Sequence, residues 1–316
     1  MTNAVSRRKI SRMDFLRGGV VATAAMHFSG CRHFVAEGQG RHDVVRFGIV
    51  TDIHYADLPP DPKARGFVGR RFYRESARKL REAVQVFNER AVDFAVELGD
   101  FKDNSDGREG TIRHLEAIER EFARFDGPRY HVAGNHDFDC LAPDEFFSRT
   151  PNNGVVTRNG YYSFEQGGVK FIVLNACFDS KMEPYSRSNP WDDANLPPKE
   201  LAWFSDELDS ANGKVVVFCH QRLDDSAEPR HTVKNASAIR AVMEKSGKVC
   251  AVLTGHQHCG GYHVVNGIPY YSLRALVCDS GEGENSYAVC SVSRSGDFSV
   301  DGLCNASSIK RKFSRP

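Results

Sequence analysis

Residues 44–54 have the sequence VVRFGIVTDIH, an apolar run that ends in two side chains able to bind metal, Asp52 and His54. The β-branched and aromatic residues of this run predict a buried strand over residues 44–51. Four more motifs follow predicted strands in the same way: Gly99-Asp100, Gly134-Asn135-His136-Asp137, the single residue His220, and Gly255-His256-Gln257-His258. Ligand sites of α/β sheets gather at the carboxyl ends of the strands. The sequence therefore predicts one site assembled from five loops.

The number and type of these side chains predict a pair of divalent cations. Two such ions roughly 3.5–4 Å apart repel each other, so an anion has to lie between them. We assign this bridge to Asp100, because a carboxylate has two oxygens and a negative charge. The remaining ligands divide into two sets: Asp52, His54 and His258 for one metal, and Asn135, His220 and His256 for the other. Imidazole together with carboxylate favours manganese or iron, with zinc as a further option, over calcium or magnesium alone.

Three residues beside the ligands are candidates for supporting roles. His136 adjoins a predicted ligand but is needed by neither metal, so we expect it to protonate or hydrogen-bond the departing oxygen after the metals have activated a water. Asp103 and Asp137 could orient ligand imidazoles. The alternative for both carboxylates is a solvated position in a loop.

The motifs together resemble the calcineurin-like metallophosphoesterase superfamily, from about residue 44 to the strands after the last motif. Residues 47–57 (FGIVTDIHYAD), 70–76 (RRFYRES) and 255–262 (GHQHCGGY) are similar to the manganese-dependent ADP-ribose/CDP-alcohol diphosphatases, which cleave pyrophosphate bonds in nucleotide-linked compounds. The sequence departs from that family at Cys259, where an acidic residue is expected, and at His54, where some members carry glutamine. The resemblance implies an α/β fold of four layers, with two mixed β-sheets packed as a sandwich and flanked by helices.

The resemblance leaves three functions open. The first is hydrolysis of nucleotide-diphosphate compounds that are ADP-ribose-like or CDP-alcohol-like. The second is an exported phosphodiesterase or phosphomonoesterase of broad specificity. The third is a binding scaffold without metal, against which the intact ligand set argues. The expected partner is a phosphorylated small molecule in each enzymatic case.

Several residues near the motifs could contact substrate. Arg71, with Arg70 and Arg74 beside it, could hold a second phosphate, since guanidinium matches phosphate oxygens; the alternative is a solvated helix face. Arg222 could contact phosphate as well. Three aromatic residues beside the metal loops could stack on a nucleobase or simply pack: Tyr55, Phe138 and Tyr262.

The pattern along the chain begins as βαβαβ and then gains hairpins. Predicted helices cover residues 71–90, 111–125, 196–208 and 233–245. Predicted strands cover residues 44–51, 92–98, 130–133, 161–164, 169–175, 214–219 and 249–253, with several short strands up to about residue 303. Residues 178–198 are polar and contain four prolines, which indicates a long loop.

The overall composition limits the partners. The 316 residues are 41% hydrophobic, enough for a sizeable core, and the formal net charge is +1. Such a balance gives no long-range attraction for a nucleic-acid duplex or an anionic membrane. Attraction for phosphate must therefore come from the metals and a few arginines.

The N-terminus predicts a targeting segment. Basic residues, including the pair Arg7-Arg8, precede a short apolar stretch and Cys31, which resembles a twin-arginine signal with a lipoprotein processing site. We expect an export signal over residues 1–31 with a lipid anchor at Cys31, and no other membrane contact. A linker (32–43), the metallophosphoesterase domain (44–305) and a polar basic tail (306–316) follow. The expected location is periplasmic or membrane-anchored, or cytoplasmic if the signal is not used.

Overall fold

The computed structural model describes residues 44–60, 70–104, 107–186, 189–225 and 229–313. The predicted export signal, with Cys31, and the linker lie outside these residues. The strands, in chain order, are β1 (Val44–Val50), β2 (Phe94–Glu97), β3 (Arg129–His131), β4 (Tyr162–Gln166), β5 (Val169–Val173), β6 (Val215–Phe218), β7 (Val249–Thr254), β8 (Gly261–Val265), β9 (Ile268–Ser272), β10 (Ser286–Ser293), β11 (Phe298–Cys304) and β12 (Ile309–Arg311). The α-helices are α1 (Ser76–Glu89), α2 (Arg108–Phe122), α3 (Pro143–Phe147), α4 (Pro198–Ser210) and α5 (Ala236–Ser246).

The strands form two mixed sheets of six strands each. The first has the order β12-β11-β10-β1-β2-β3 and the second the order β4-β5-β6-β7-β9-β8. In the first sheet β1, β2 and β3 are parallel, while β10, β11 and β12 are antiparallel to their neighbours. In the second sheet β5, β6, β7 and β9 are parallel, and β4 and β8 are antiparallel edge strands. Each sheet therefore contains a run of neighbouring parallel strands whose carboxyl ends can carry ligands.

Three apolar layers hold the sandwich together. Between the sheets, Phe47 stacks on Phe94 with ring centroids 5.0 Å apart and meets Phe171 and Phe218 edge-on. A second cluster buries the inward face of α1 and α2 on the first sheet, and a third buries α4 and α5 on the second. Burial of apolar area of this kind is the main stabilising contribution, at roughly 25 cal/mol per Å². The predicted four-layer α/β sandwich is confirmed.

Some element boundaries differ from prediction. The helix expected from residue 71 begins at Ser76, after a 3-10 turn at Tyr73–Glu75, because the preceding residues pair with the loop after β9. The short helix α3 was not predicted. Residues 309–311, assigned to the polar tail, form β12 and pair with β11, so the sheet continues beyond the predicted domain end at residue 305.

Two further observations concern membrane spans and cysteines. None of the described helices combines the length and apolar character that a bilayer span requires. The eight cysteines among the described residues form no disulfide with one another, and Cys219, Cys250 and Cys290 are buried in strands or directly after one.

Replacement of Lys79 by methionine is expected to destabilise the fold by about 3–5 kcal/mol. Lys79 is buried on α1, and its Nζ donates to the carbonyl oxygens of Leu276 (3.0 Å), Cys278 (2.6 Å) and Asp279 (2.7 Å). Methionine keeps the apolar stem but leaves three carbonyls without this donor. Urea unfolding measures the loss, with the exposed Gln85→Met on the same helix as control. A loss no larger than that of the control would contradict this role.

Candidate metal centre

The predicted ligands converge because their loops all follow parallel strands. Asp52 and His54 follow β1, Asp100 follows β2 and Asn135 follows β3 in the first sheet, whereas His220 follows β6 and the last two histidines follow β7 in the second. Backbone hydrogen bonds join the loops: the N–H of Asp52 donates to Gly99 O (3.0 Å), and that of Gly255 donates to His220 O (3.0 Å). Between the sheets, the N–H of His256 donates to Asp52 Oδ2 at 3.0 Å, so the carboxyl edges of the two sheets meet at one point.

Four of the seven predicted ligands have strained backbones. Asp52, His54, Asp100 and His256 have φ angles of 49°, 45°, 56° and 63°. Positive φ is uncommon for residues other than glycine, and such strain persists where the surrounding structure enforces it, often at functional sites. The strain therefore indicates that the loops are shaped to aim these side chains inward.

Two motif glycines are required by close approach. A Cβ at Gly99, where φ is +100°, would overlap the imidazole of His220. A Cβ at Gly134 would overlap the backbone nitrogen of Asp100. Glycine is therefore required at both positions, because any side chain there would prevent one ligand loop from packing against another.

The first predicted ligand set forms one tight group. Ligand atoms of Asp52, His54 and His258 all lie within 4.8 Å of one another and are buried. The two Nε2 atoms are 3.2 Å apart, and His258 Nε2 is 3.3 Å from Asp52 Oδ1. Ligands about 2.1 Å from one cation at tetrahedral or octahedral angles are about 3.0–3.4 Å from each other. The spacing of this group fits a single divalent ion.

The second predicted set is built around His220. Ligand atoms of Asp100, His220 and His256 also lie within 4.8 Å of one another. His220 Nδ1 donates to Leu98 O at 2.8 Å, which directs Nε2 toward Asp100. His256 Nε2 and Asn135 Oδ1 are buried and have no hydrogen-bond partner among the described residues. A buried polar atom without a partner costs about 1–3 kcal/mol, and a cation at this position would satisfy both atoms.

Asp100 lies between the two groups, as the prediction of a bridge requires. Its Oδ2 is 3.4 Å from His54 Nε2 and 3.2 Å from His220 Nε2, while Oδ1 accepts the backbone N–H of His136 at 2.8 Å. Burial raises the pKa of Asp100, but the neighbouring imidazoles, His220 foremost, lower it well below its usual range. Asp100 is thus an ionised carboxylate facing both positions, and the whole donor set fits a pair of divalent cations.

The two predicted supporting carboxylates behave differently. Asp103 Oδ2 accepts from His54 Nδ1 at 3.2 Å, which leaves the Nε2 atom of His54 to face the metal position. Asp137 does not contact a ligand imidazole. It accepts the backbone N–H groups of Gly134 (2.8 Å), Asp100 (3.1 Å) and Phe101 (3.0 Å). The predicted role of Asp137 is therefore corrected: it is buried and fastens the ligand loops to each other.

His136 lies beside the first group with its ring centroid 4.9 Å from that of His54. Its Nδ1 is 2.7 Å from Asp139 Oδ2, an interaction that leaves Nε2 for substrate. Burial lowers the pKa of His136, but Asp100 and Asp139 more than offset this and raise it to about 9. A histidine that is protonated at neutral pH suits the predicted acid role. Sequence reasoning missed Asp139, although its place three residues after His136, just past a 3-10 turn, could have indicated it.

Asp139→Asn is expected to lower kcat by about 10- to 100-fold while both metals stay bound, because the imidazole loses its orienting carboxylate. The pKa of His136 should also fall, so activity should disappear at a lower pH on the alkaline side of the pH–rate profile. Steady-state kinetics with metal analysis measure both effects, and the exposed Asp144→Asn serves as control. Unchanged kcat and an unchanged profile would show that Asp139 does not position His136.

Metal binding is expected to release the proton of His220 at pH 7. Burial lowers the pKa of His220, but Asp100 and Asp52 raise it to about 10, and a cation must displace that proton. Affinity for Mn²⁺ should therefore increase with pH up to about 10. The same raised pKa stabilises the metal-depleted fold below about pH 6.5, and this contribution is lost as the pH approaches 10. Calorimetry of metal-depleted protein in buffers of different ionisation enthalpy counts the protons, and binding without proton release would contradict the assignment.

A cavity of about 260 Å³ opens onto the centre. Its lining includes the predicted substrate residue Arg71, the predicted acid His136 and four predicted ligands, Asp100, Asn135, His256 and His258. Arg71 Nη1 is 3.5 Å from Asp103 Oδ2, and a quarter of its side chain (26%) is exposed. This arginine is therefore part of the site and not a solvated helix face.

The other predicted substrate residues are not among those that line this cavity. Phe138 is 2% exposed and packs against the rings of Phe146 and Phe147, so its predicted stacking role is corrected to core packing. Arg222 is buried and donates from Nε and Nη2 to the Asp224 carboxylate (2.9 and 2.5 Å). Tyr55 is partly buried against the ring of His114, and Tyr262 is exposed on β8.

Two residues that the sequence did not single out line the cavity, Trp191 and His231. Trp191 belongs to the segment predicted as a long loop, and His231 closes a 3-10 turn at Pro229–His231. Neither lies in a motif with metal-ligand spacing, so no local signal could have found them. Their places follow only from how the two loops fold over the second sheet.

Comparison with known proteins agrees with this geometry. The profile of the Calcineurin-like phosphoesterase family matches residues 45–260. The manganese-dependent ADP-ribose/CDP-alcohol diphosphatase of Oryza sativa subsp. japonica is 27% identical, covering 78% of this chain and 88% of that protein. The protein of the same name from Arabidopsis thaliana is 26% identical, covering 76% and 89%, and that from Homo sapiens is 24% identical, covering 68% and 78%.

Solved structures share the fold. A dimetal phosphatase from Danio rerio superposes with a TM-score of 0.74 at 20% identity, covering 85% of this chain and 99% of that one. A purple acid phosphatase from yellow lupin (Lupinus luteus) seeds superposes with a TM-score of 0.55 at 14% identity, covering 84% and 53%. The family match extends from β1 to the last predicted ligand. The chain therefore belongs to the calcineurin-like phosphoesterase family and is a metal-dependent phosphoesterase.

Proposed function

We propose that this chain hydrolyses the pyrophosphate bond of nucleotide-linked diphosphates of the ADP-ribose or CDP-alcohol kind. The observation that carries the proposal is Arg71 in the cavity of the metal centre. A guanidinium has five N–H donors, so its contact with Asp103 at 3.5 Å leaves donors for a substrate phosphate. A diphosphate offers one phosphoryl group to the metals and a second to Arg71, and the named activity of the curated relatives supports the same substrate class.

We propose Mn²⁺ as the native metal, held by Asp52, His54 and His258 on one side and by Asn135, His220 and His256 on the other, with Asp100 between. The nitrogen and oxygen donors, without a thiolate, suit manganese or iron, and zinc also binds such a set. The manganese dependence stated in the names of the relatives favours manganese. Metal analysis of the purified protein, with reactivation of metal-depleted enzyme by Mn²⁺, Fe²⁺ and Zn²⁺, tests this choice.

The residues around the centre have distinct tasks in the reaction. Bound divalent cations supply polarisation of a phosphoryl oxygen and a lower pKa for water. Arg71 orients the second phosphate, and its positive charge favours a diphosphate over an ester that carries a single phosphate. His136, held by Asp139, gives its proton to the oxygen that leaves phosphorus. Asp103 keeps the imidazole of His54 in the tautomer with Nδ1 protonated.

One assay separates this proposal from hydrolysis of simple phosphate esters. The Mn²⁺-loaded protein is given ADP-ribose, a CDP-alcohol, a cyclic nucleotide and an aryl phosphate, and the products are identified. The proposal expects AMP from ADP-ribose, with kcat/KM well above that for the aryl phosphate. Preference for the aryl phosphate with intact ADP-ribose would overturn it in favour of a broad phosphomonoesterase or phosphodiesterase.

We also propose that the protein is exported by the twin-arginine route and anchored by lipid at Cys31. The sequence of residues 1–31 supports this proposal, since basic residues precede a short apolar stretch and a cysteine. Cell fractionation of the full chain and of Cys31→Ser tests it. If the anchor is present, the full chain stays in the membrane fraction and Cys31→Ser releases it. A full chain found in the cytoplasm would overturn both the export and the anchor.

A further inference from the structure

Trp191 forms an aromatic wall of the metal cavity. Its ring centroid lies 5.6 Å from that of His256 and 5.3 Å from that of His231, and the two histidine rings are 5.4 Å apart. His256 is a predicted ligand of the second metal. The three rings therefore form a continuous surface that leads from the metal centre to the rim of the cavity.

A guanidinium extends this surface. The Arg230 Cζ atom lies over the Trp191 ring, 4.6 Å from its centroid. Arg230 Nε is 2.9 Å from Asp192 Oδ2, and 64% of its side chain is exposed. The indole and the guanidinium thus offer a planar, partly solvated surface next to a phosphate-binding site.

Such a surface suits a nucleobase. Bases stack on aromatic rings and on arginine planes, and the interaction tolerates any base because every base has a π-face. A phosphate on the metals and Arg71 leaves the attached organic group to occupy the rest of the cavity, whose lining beyond the predicted ligands includes the rings of Trp191 and His231. Phe138, predicted from the sequence for stacking, is buried in the core instead.

We infer that Trp191 and Arg230 form the subsite that receives the nucleobase of the substrate. The inference rests on the proposed nucleotide-linked substrates and specifies where their base lies. Recognition by stacking would accept both purines and pyrimidines, which matches a substrate range with adenine and cytosine compounds.

Tryptophan fluorescence tests the subsite without catalysis. The chain has two tryptophans, and the other, Trp203, lies on α4 with its ring 4.7 Å from that of Tyr161. In Mn²⁺-loaded Trp203→Phe protein, Trp191 is the sole emitter. AMP and CMP should quench its emission at concentrations that saturate the site, whereas ribose 5-phosphate, which lacks the base, should not. Equal quenching by AMP and ribose 5-phosphate, or none by AMP at saturation, would overturn the inference.

The ratio of the affinities for AMP and ribose 5-phosphate measures how much base stacking contributes to binding. In the parent protein AMP should bind about 10- to 100-fold more tightly than ribose 5-phosphate, because base stacking on one ring is of that size. Trp191→Ala should bring the ratio close to unity, and Trp191→Phe should keep most of it. Any general damage to the fold or metals affects both ligands and cancels in the ratio. An unchanged ratio in Trp191→Ala would overturn the inference, whether or not ADP-ribose proves to be a substrate.

Discussion

Asp100→Asn is expected to lower kcat by about a thousandfold or more and to reduce the bound metal from two ions to one or none. The amide keeps the shape of the side chain and can still accept the N–H of His136. It loses the negative charge that lies 3.4 Å from His54 Nε2 and 3.2 Å from His220 Nε2. Two cations without an anion between them repel each other, and metal polarisation of the phosphoryl group contributes several kcal/mol to transition-state stabilisation.

Two measurements on the same preparation test this prediction: metal content by mass spectrometry and kcat by steady-state kinetics. Asp301→Asn is the matched control, because Asp301 is an exposed carboxylate on β11 paired with Arg90. Circular dichroism of both variants checks the fold. Two tightly bound ions and near-normal turnover in Asp100→Asn would show that Asp100 is not the bridge.

His136→Ala is expected to keep both metals and to lose about 10²–10⁴-fold in kcat, the usual contribution of a general acid. The side chain of His136 contacts Asp139 and lines the cavity, while the hydrogen bond to Asp100 comes from its backbone N–H. Removal of the imidazole therefore leaves the ligand set in place. The loss should increase with the basicity of the leaving oxygen, because a basic oxygen departs poorly without a proton.

A series of phosphate esters with different leaving groups, assayed with normal and His136→Ala protein, tests the acid role directly. His263→Ala, a histidine on β8 that is not among the cavity residues, is the control. Undiminished turnover, or loss of the metals, would remove the acid role from His136. A loss equal for all leaving groups would indicate a role in binding instead of proton transfer.

The ligand loops could be predicted because their signals are local. The first predicted ligand of each motif follows an apolar run within three residues, and the carboxyl ends of parallel strands share an edge. The strand order could not be predicted in this way. β10 lies beside β1, and β9 separates β7 from β8. The local hydrophobic pattern of a strand does not show which other strand it pairs with.

The roles of the carboxylates near the motifs could not be predicted from the sequence alone either. Asp103, Asp137 and Asp139 lie close to the motifs in sequence, but their partners depend on the path of the backbone. The 3-10 turn Asn135–Phe138 directs Asp137 toward the amides of the adjacent loop and leaves Asp139 next to His136. The place of Trp191 in the cavity could not be predicted from the sequence either, because its loop has no regular structure and its position depends on tertiary packing alone.

The proposed centre consists of two cations that distant loops hold across one carboxylate. Anomalous diffraction from crystals of the Mn²⁺-loaded protein, measured at the manganese edge, tests it most directly. Two peaks roughly 3.5–4 Å apart are expected, one beside Asp52, His54 and His258 and one beside Asn135, His220 and His256, with the carboxylate of Asp100 between them. A single peak, or two peaks that Asp100 does not join, would contradict it.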